Sequence, residues 1–172
     1  MEIVMQIDPL VGRWSVVGSA SVNGEIPFVG DDPDPDGVSG WLNGTGEELE
    51  GSIASTSGLE LEVSQDGLFS EHLTGQPKIE WFDVEGVLCD GVVPSNGALV
   101  EGEMLVYLQP NGIPSWSVHK KKRYGKALLR YDDGDTKICD CLRLKGDRLI
   151  RTVNVVTDEL YTNRVLMAYE KT

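Results

Sequence analysis

Arg151 is the residue around which chemistry is most readily built. In the run Arg148–Val156, one alternate set holds Leu149, Val153 and Val155, and Arg151 stands among them. A guanidinium set into an apolar strand face suits an amphipathic anion, because its planar fork pairs bidentately with a carboxylate where water is excluded. The opposite facing, with Ile150, Thr152 and Val156 inward, leaves Arg151 in solvent. Aromatic residues supply candidate cavity walls, and Tyr107, Trp116, Tyr161 and Tyr169 are taken as ligand contacts. Pockets are mostly apolar with a few placed polar groups, which such side chains provide. His72, beside Phe69 on an alternating stretch, joins this set, with Glu71 on the opposite face. Acid–base work by His72 would need a partner within hydrogen-bond reach, and the sequence supplies none.

Other chemistries lack their residues. There is no Gly-x-Ser-x-Gly elbow, phosphate-cradling glycine loop, dinucleotide-binding glycine run or His-Glu-x-x-His pair, so no catalytic residue is assigned. Asp31, Asp32, Asp34 and Asp36 crowd a loop with Pro33 and Pro35, but without the ligand spacing of a calcium-binding hand. Cys139 and Cys141 are separated by one residue and lack the second pair of a zinc knuckle. The reading therefore carries no metal and no cofactor. Three cysteines, Cys89 included, are an odd and sparse set that fits reduced thiols inside a cell.

The formal net charge is −13, divided as 20 acids against two bases over residues 1–103 and 13 bases against eight acids over 104–172. A total this acidic disfavours nucleic acid as a partner, since phosphate contacts need a basic face. The one basic cluster, His119 to Arg123, is read as a solvated hairpin tip. Its Lys120–Arg123 portion could also complement the acidic front half of a second copy, which makes a homodimer a candidate assembly. No stretch approaches the roughly 20 apolar residues of a membrane span. The start, Met1 to Pro9, carries Glu2 where a secretory leader would be basic, so the chain is expected to be cytoplasmic.

The elements that must position these residues are strands. From Arg13 to Val22, residues Trp14, Val16, Ala20 and Val22 alternate with polar neighbours, with Gly18 on the apolar face. Strands are expected at Glu48–Ala54, Leu59–Ser64, Leu68–Thr74, Lys78–Val84, Gly86–Val93, Ala98–Gln109, Ile113–Lys122 and Lys126–Tyr131. Another is expected at Val38–Leu42, and a short helix within the first eight residues. Asp66-Gly67 marks a hairpin. The last 37 residues read as three consecutive strands, Thr136–Leu144, Arg148–Val156 and Leu160–Glu170, whose short turns enforce antiparallel neighbours. About 8–10 strands without a linker predict one all-β domain over residues 1–172, a single antiparallel up-and-down barrel.

Two stretches carry a family likeness. Leu10-Val11-Gly12-Arg13-Trp14 resembles the Gly-x-Trp first strand of the calycin superfamily, the lipocalins and intracellular fatty-acid-binding proteins. Glu25 to Phe28 with Gly30 to Pro33 is similar to the segment after that strand in bacterial lipocalin-like domains. Lys145 to Ile150, continuing to Tyr169-Glu170-Lys171, resembles the closing hairpin of fatty-acid-binding proteins. The likeness covers about the first 35 and last 40 residues. It implies a calycin-like barrel, transport or binding of a lipid, pigment or similar ligand, and a late arginine, Arg164, laid across Trp14 to seal one end.

The expected function is binding of a small hydrophobic or amphipathic ligand inside the barrel. Its rivals are an isomerase, cyclase or chromophore lyase on the same scaffold, and a barrel plugged by its own side chains that serves as an interaction module.

Overall fold

Two-residue alternation and tight turns produce β1 (Gly12–Glu25), a single helical turn α1 (Glu47–Glu50), β2 (Ala54–Ser55), β3 (Leu59–Val63) and β4 (Leu68–Leu73). They continue as β5 (Glu80–Phe82), β6 (Leu88–Asp90), β7 (Asn96–Glu101), β8 (Val106–Pro110), β9 (Trp116–Lys120) and β10 (Ala127–Tyr131). The chain closes with β11 (Thr136–Lys145), β12 (Arg148–Thr157) and β13 (Tyr161–Lys171). The computed structural model describes residues 7–25, 44–77, 80–82, 88–90, 96–102, 105–110, 116–120, 127–131, 136–157 and 161–172. The expected strand Val38–Leu42, the aspartate–proline loop, most of the expected N-terminal helix and Lys121–Arg123 lie outside these residues.

Eight strands close into a barrel in chain order: β1, β3, β4, β7, β8, β11, β12 and β13, each antiparallel to the next. The first and last strands seal it, paired from Trp14↔Lys171 to Glu25↔Tyr161. Two hairpins stand off the ring. β5 and β6 pair only with each other, and β9–β10 joins the side of β11. β11 turns into β12 through Gly146-Asp147, where Gly146 takes φ +63°, a left-handed conformation that costs glycine nothing.

Three expectations about elements are corrected. Ala98–Gln109 is two strands, not one. β7 and β8 pair antiparallel, and the Gly102 amide donates to the Leu105 carbonyl at 2.8 Å. A Cβ on Gly102 would stand 2.5 Å from Tyr107 Cε2, so the fold-back needs a residue without a side chain. Glu48–Ala54 is not a strand either. Gly46 in the left-handed region starts α1, Glu47, Glu48 and Glu50 sit in its first turn, and only Ala54–Ser55 remains as β2.

The third correction concerns β1. The register against β13 shifts between Val16 and Gly18, a β-bulge at Val17. One extra residue reverses which side chains face the core. Trp14 and Val16 point inward, but Ala20 packs outside with Leu166, Ala168 and Leu49, and Val22 is 42% exposed. Ser19 and Ser21, opposite the inward Met167 and Val165, therefore take the inner face.

The barrel thus has two halves. The half containing Trp14, Leu61, Phe69, Leu142, Leu149, Met167 and Tyr169 is a packed floor, all at 3% exposure or less. Beyond the bulge the inner face of β1 becomes small and polar, Ser19 being half-buried and Ser21 exposed. Beside it stand the half-buried Asn163 and the buried Val153, Val155 and Val165, which continue the apolar cluster of the floor. Past Ser19, β1 keeps a ladder partner only on its β13 side among the described residues. Outside the barrel, α1 lies against β11–β13. Arg143 and Lys145 pair with Glu50, Arg164 pairs with Glu48, and Thr152 Oγ1 donates to the Thr45 carbonyl at 2.8 Å.

Candidate functional site

Four polar side chains meet inside the floor. β12 brings Arg151, β11 brings Asp140, β13 brings Tyr169 and β4 brings Glu71. β4 stands four places from β12 in the ring of eight, so Glu71 reaches its partners across the lumen. Arg151 donates from Nε to Asp140 Oδ1 at 2.9 Å and from Nη2 to Oδ2 at 2.6 Å, a bidentate fork. Its Nη1 lies 3.6 Å from Glu71 Oε2. Tyr169 donates its hydroxyl to Glu71 Oε1 at 2.6 Å, with Met167 Sδ at 3.5 Å. The face of Phe69 covers the guanidinium, 5.8 Å from ring centre to Cζ. Exposure runs from 0% for Arg151 and Tyr169 to 4% for Glu71.

Burial and the neighbouring charges act on each of these groups. Burial, the largest effect, opposes the Arg151 charge, yet Asp140 and Glu71 hold its pKa above the ordinary arginine value. A permanently charged fork bonded to both oxygens keeps Asp140 ionised, even though burial pushes its carboxyl upward. One cation then faces two carboxyls in the buried floor, and a proton on Glu71 would balance their charges. Burial raises the Glu71 carboxyl above 4.5, opposed by Arg151 and the Tyr169 hydrogen bond and assisted by the Asp140 charge. Burial and then Glu71 raise Tyr169 well above its ordinary value, so the phenol stays protonated. The cluster is a polar lock between opposite walls.

Arg151 and Tyr169, named from the sequence, are inside and belong to this lock. The Arg151 fork, however, is held by Asp140 and is not left for a ligand carboxylate. Tyr107 is not a lumen residue: Val106 and Leu108 take the inner face, and Tyr107 lies on the outer one opposite Cys141. His72 is exposed on the outer face beside Ser70, 3.1 Å from its hydroxyl oxygen, because strand alternation gives the inward position to Glu71. Trp116 belongs to β9, off the barrel ring, and Tyr161 begins β13 opposite Thr157 and Glu25. The side chains of both lie outside the described set.

The sealing role implied for Arg164 is also corrected. Arg164 pairs with Val22, seven residues up β13 from Lys171, about 23 Å of strand away from Trp14's partner. It faces outward to Asn154 and Glu48, and burial pushes its pKa down to about 10. Lys171 covers Trp14 instead, its Nζ 5.4 Å from the ring centre, while the indole Nε1 donates to the Leu10 carbonyl at 2.8 Å. Glu71 and Asp140 were missed by sequence reasoning. The available signal was their spacing: Glu71 shares a strand face with Phe69, and Asp140 with Leu142.

A cleft of about 430 Å³ lies outside the barrel at the β3–β4 turn, lined by Glu62, Ser64, Asp66, Leu68, Ser70 and Asn96 with Phe69 and Gly97. Among the described residues no group of three or more histidine, cysteine or carboxylate side chains is arranged to hold a metal. None of the described helices is long and apolar enough to cross a membrane.

No family model and no curated protein matches the chain. Among solved structures it is similar to the crystal structure of a protein with unknown function from the DUF3598 family, from Nostoc punctiforme PCC 73102. The two are 13% identical with a TM-score of 0.41, over 99% of this chain and 51% of the other. This chain therefore spans about half the length of that protein.

Proposed function

We propose that the protein is a calycin-like barrel that binds one small hydrophobic or amphipathic molecule in the half beyond the β1 bulge. The observation that supports this reading is the change in the inner wall of β1. Below the bulge Trp14 and Val16 are buried at 3% and 4%, and the floor is filled. Above it Ser19 and Ser21 replace large side chains, beside Val165 and Asn163 of β13 and Val153 and Val155 of β12 on the same stretch of wall. Eight strands enclose a space that side chains can fill or that one small ligand can occupy. Here the two uses divide between the two halves. Affinity would come from apolar burial, on the order of 25 cal/mol per Å² removed from water.

The test uses adjacent residues with opposite facings. Ser21→Trp is expected to abolish the fluorescence gain of the neutral apolar dye Nile red, whereas Val22→Trp, one position on and outward, leaves it intact. Equal loss in both variants, or no binding by the parent protein, would remove this reading.

A second reading, an isomerase, cyclase or chromophore lyase, draws on Glu71. A carboxyl whose pKa burial raises, 2.6 Å from a phenol, is a suitable general acid. It requires a substrate to reach a side chain that is closed to solvent in this structure.

A further inference from the structure

We infer that the molecule held in the barrel is uncharged, an apolar compound bearing hydroxyl or carbonyl groups rather than a carboxylate or an amine; this rests on the ligand-binding reading above. Charged side chains on the described inner face are confined to the floor. Beyond the bulge, the described wall of Ser19, Ser21, Asn163, Val153, Val155 and Val165 has no ionisable side chain. Among the described residues Asp140, paired with Val153, is the nearest charge, and both its oxygens are bonded by Arg151. Glu71 sits within the floor against Tyr169, and Glu101, opposite Val106, lies at the floor end of β7.

Among the described residues, an anion entering this space meets no uncommitted cation. To obtain one it must displace Asp140 from the Arg151 fork and leave that carboxylate buried beside the incoming anion and the Glu71 carboxyl. An ammonium fares no better, because the Asp140 oxygens that would receive it are already occupied by the guanidinium. A buried charge without a partner is strongly disfavoured. Hydroxyl and amide groups on Ser19, Ser21 and Asn163 instead offer both donors and acceptors, which suit a neutral polar group.

Three probes of equal chain length separate the possibilities: 1-decanol, decanoate and decylamine, titrated by calorimetry near pH 7. Decanol is expected to bind at least about tenfold tighter than either charged probe, a difference of about 1.4 kcal/mol. Decanoate or decylamine matching decanol would overturn the inference while leaving ligand binding intact. No binding of any probe would overturn the ligand-binding reading and this inference with it. The double variant Asp140→Asn/Glu71→Gln keeps the side-chain shapes and leaves the Arg151 charge uncompensated. It is expected to move the decanoate-to-decanol ratio about tenfold toward decanoate. An unchanged ratio in a folded double variant would show that Asp140 does not govern selectivity.

Discussion

Glu71→Gln separates two accounts of the floor cluster. If Glu71 carries a proton at neutral pH, glutamine replaces a neutral group by a neutral group of nearly the same shape, and its carbonyl still accepts the Tyr169 hydroxyl now 2.6 Å away. Stability near pH 7 should then change by less than about 1 kcal/mol, within the ordinary range of a conservative substitution. If Glu71 were instead the ionised partner of Arg151, breaking the pair would cost about 3–5 kcal/mol. The pH dependence gives a second, independent readout. Burial raises the Glu71 carboxyl in the folded state above its reference value of 4.5, so the folded protein binds more protons than the unfolded chain over the window above 4.5. Stability contributed by this proton is complete below 4.5, falls as pH rises by up to about 1.4 kcal/mol per unit, and levels off above the folded pKa. Urea titrations between about pH 5 and about pH 7 should show this decline in the parent and a shallower slope in Glu71→Gln. A variant that loses about 3–5 kcal/mol near neutrality and keeps the parent's slope would refute the charge-balance argument.

Three further outcomes follow from the same structure. Arg151→Met strands Asp140 without its cation and should cost about 3–5 kcal/mol by chemical denaturation, much of which Arg151→Met/Asp140→Leu should restore. Gly102→Ala places a Cβ 2.5 Å from Tyr107 Cε2 and 2.9 Å from the Leu105 carbonyl oxygen, and should lower stability by about 1–3 kcal/mol. Glu50→Ala removes the shared partner of Arg143 and Lys145 and loosens α1, with a loss of no more than about 1 kcal/mol that shrinks in high salt. Glu50 is held below its ordinary value, burial being outweighed by Lys145 and Arg143. Its contribution is therefore present above 4.5 and lost as pH falls through the lowered pKa, which thermal melts across the acid range would detect.

The closing strands were legible in the sequence because every step between them is local. Gly146-Asp147 sets the turn, and alternation on either side sets the faces of β11 and β12. The Gly-x-Trp strand was legible for the same reason as far as Val16. Past that point the parity reading failed, because Val16 and Val17 are both apolar and nothing marks which is the extra residue in the bulge. The facing of Ser19, Ser21, Ala20 and Val22 was lost with it. Gly102, between Glu101 and Glu103 in an apolar run, was read through instead of as a fold-back.

The site divided along similar lines. Arg151 stood out as a charge on an apolar face, but its meaning depends on Asp140 one strand away and Glu71 on the far wall. An inward carboxylate looks like an irregularity of alternation until its counter-charge is known, and Glu71 precedes Arg151 by 80 residues. Tyr107 and His72 illustrate the converse. Each shares a strand with true lumen residues, and a one-residue choice of face decides the outcome.

The proposal that the upper half of the barrel holds a neutral guest is tested most directly by native mass spectrometry of gently purified protein, with the parent compared to Ser21→Trp and Val22→Trp. The account predicts a one-to-one adduct of an uncharged apolar compound on the parent and on Val22→Trp, absent from Ser21→Trp. Bare protein in all three samples, or an adduct that survives Ser21→Trp, would contradict it.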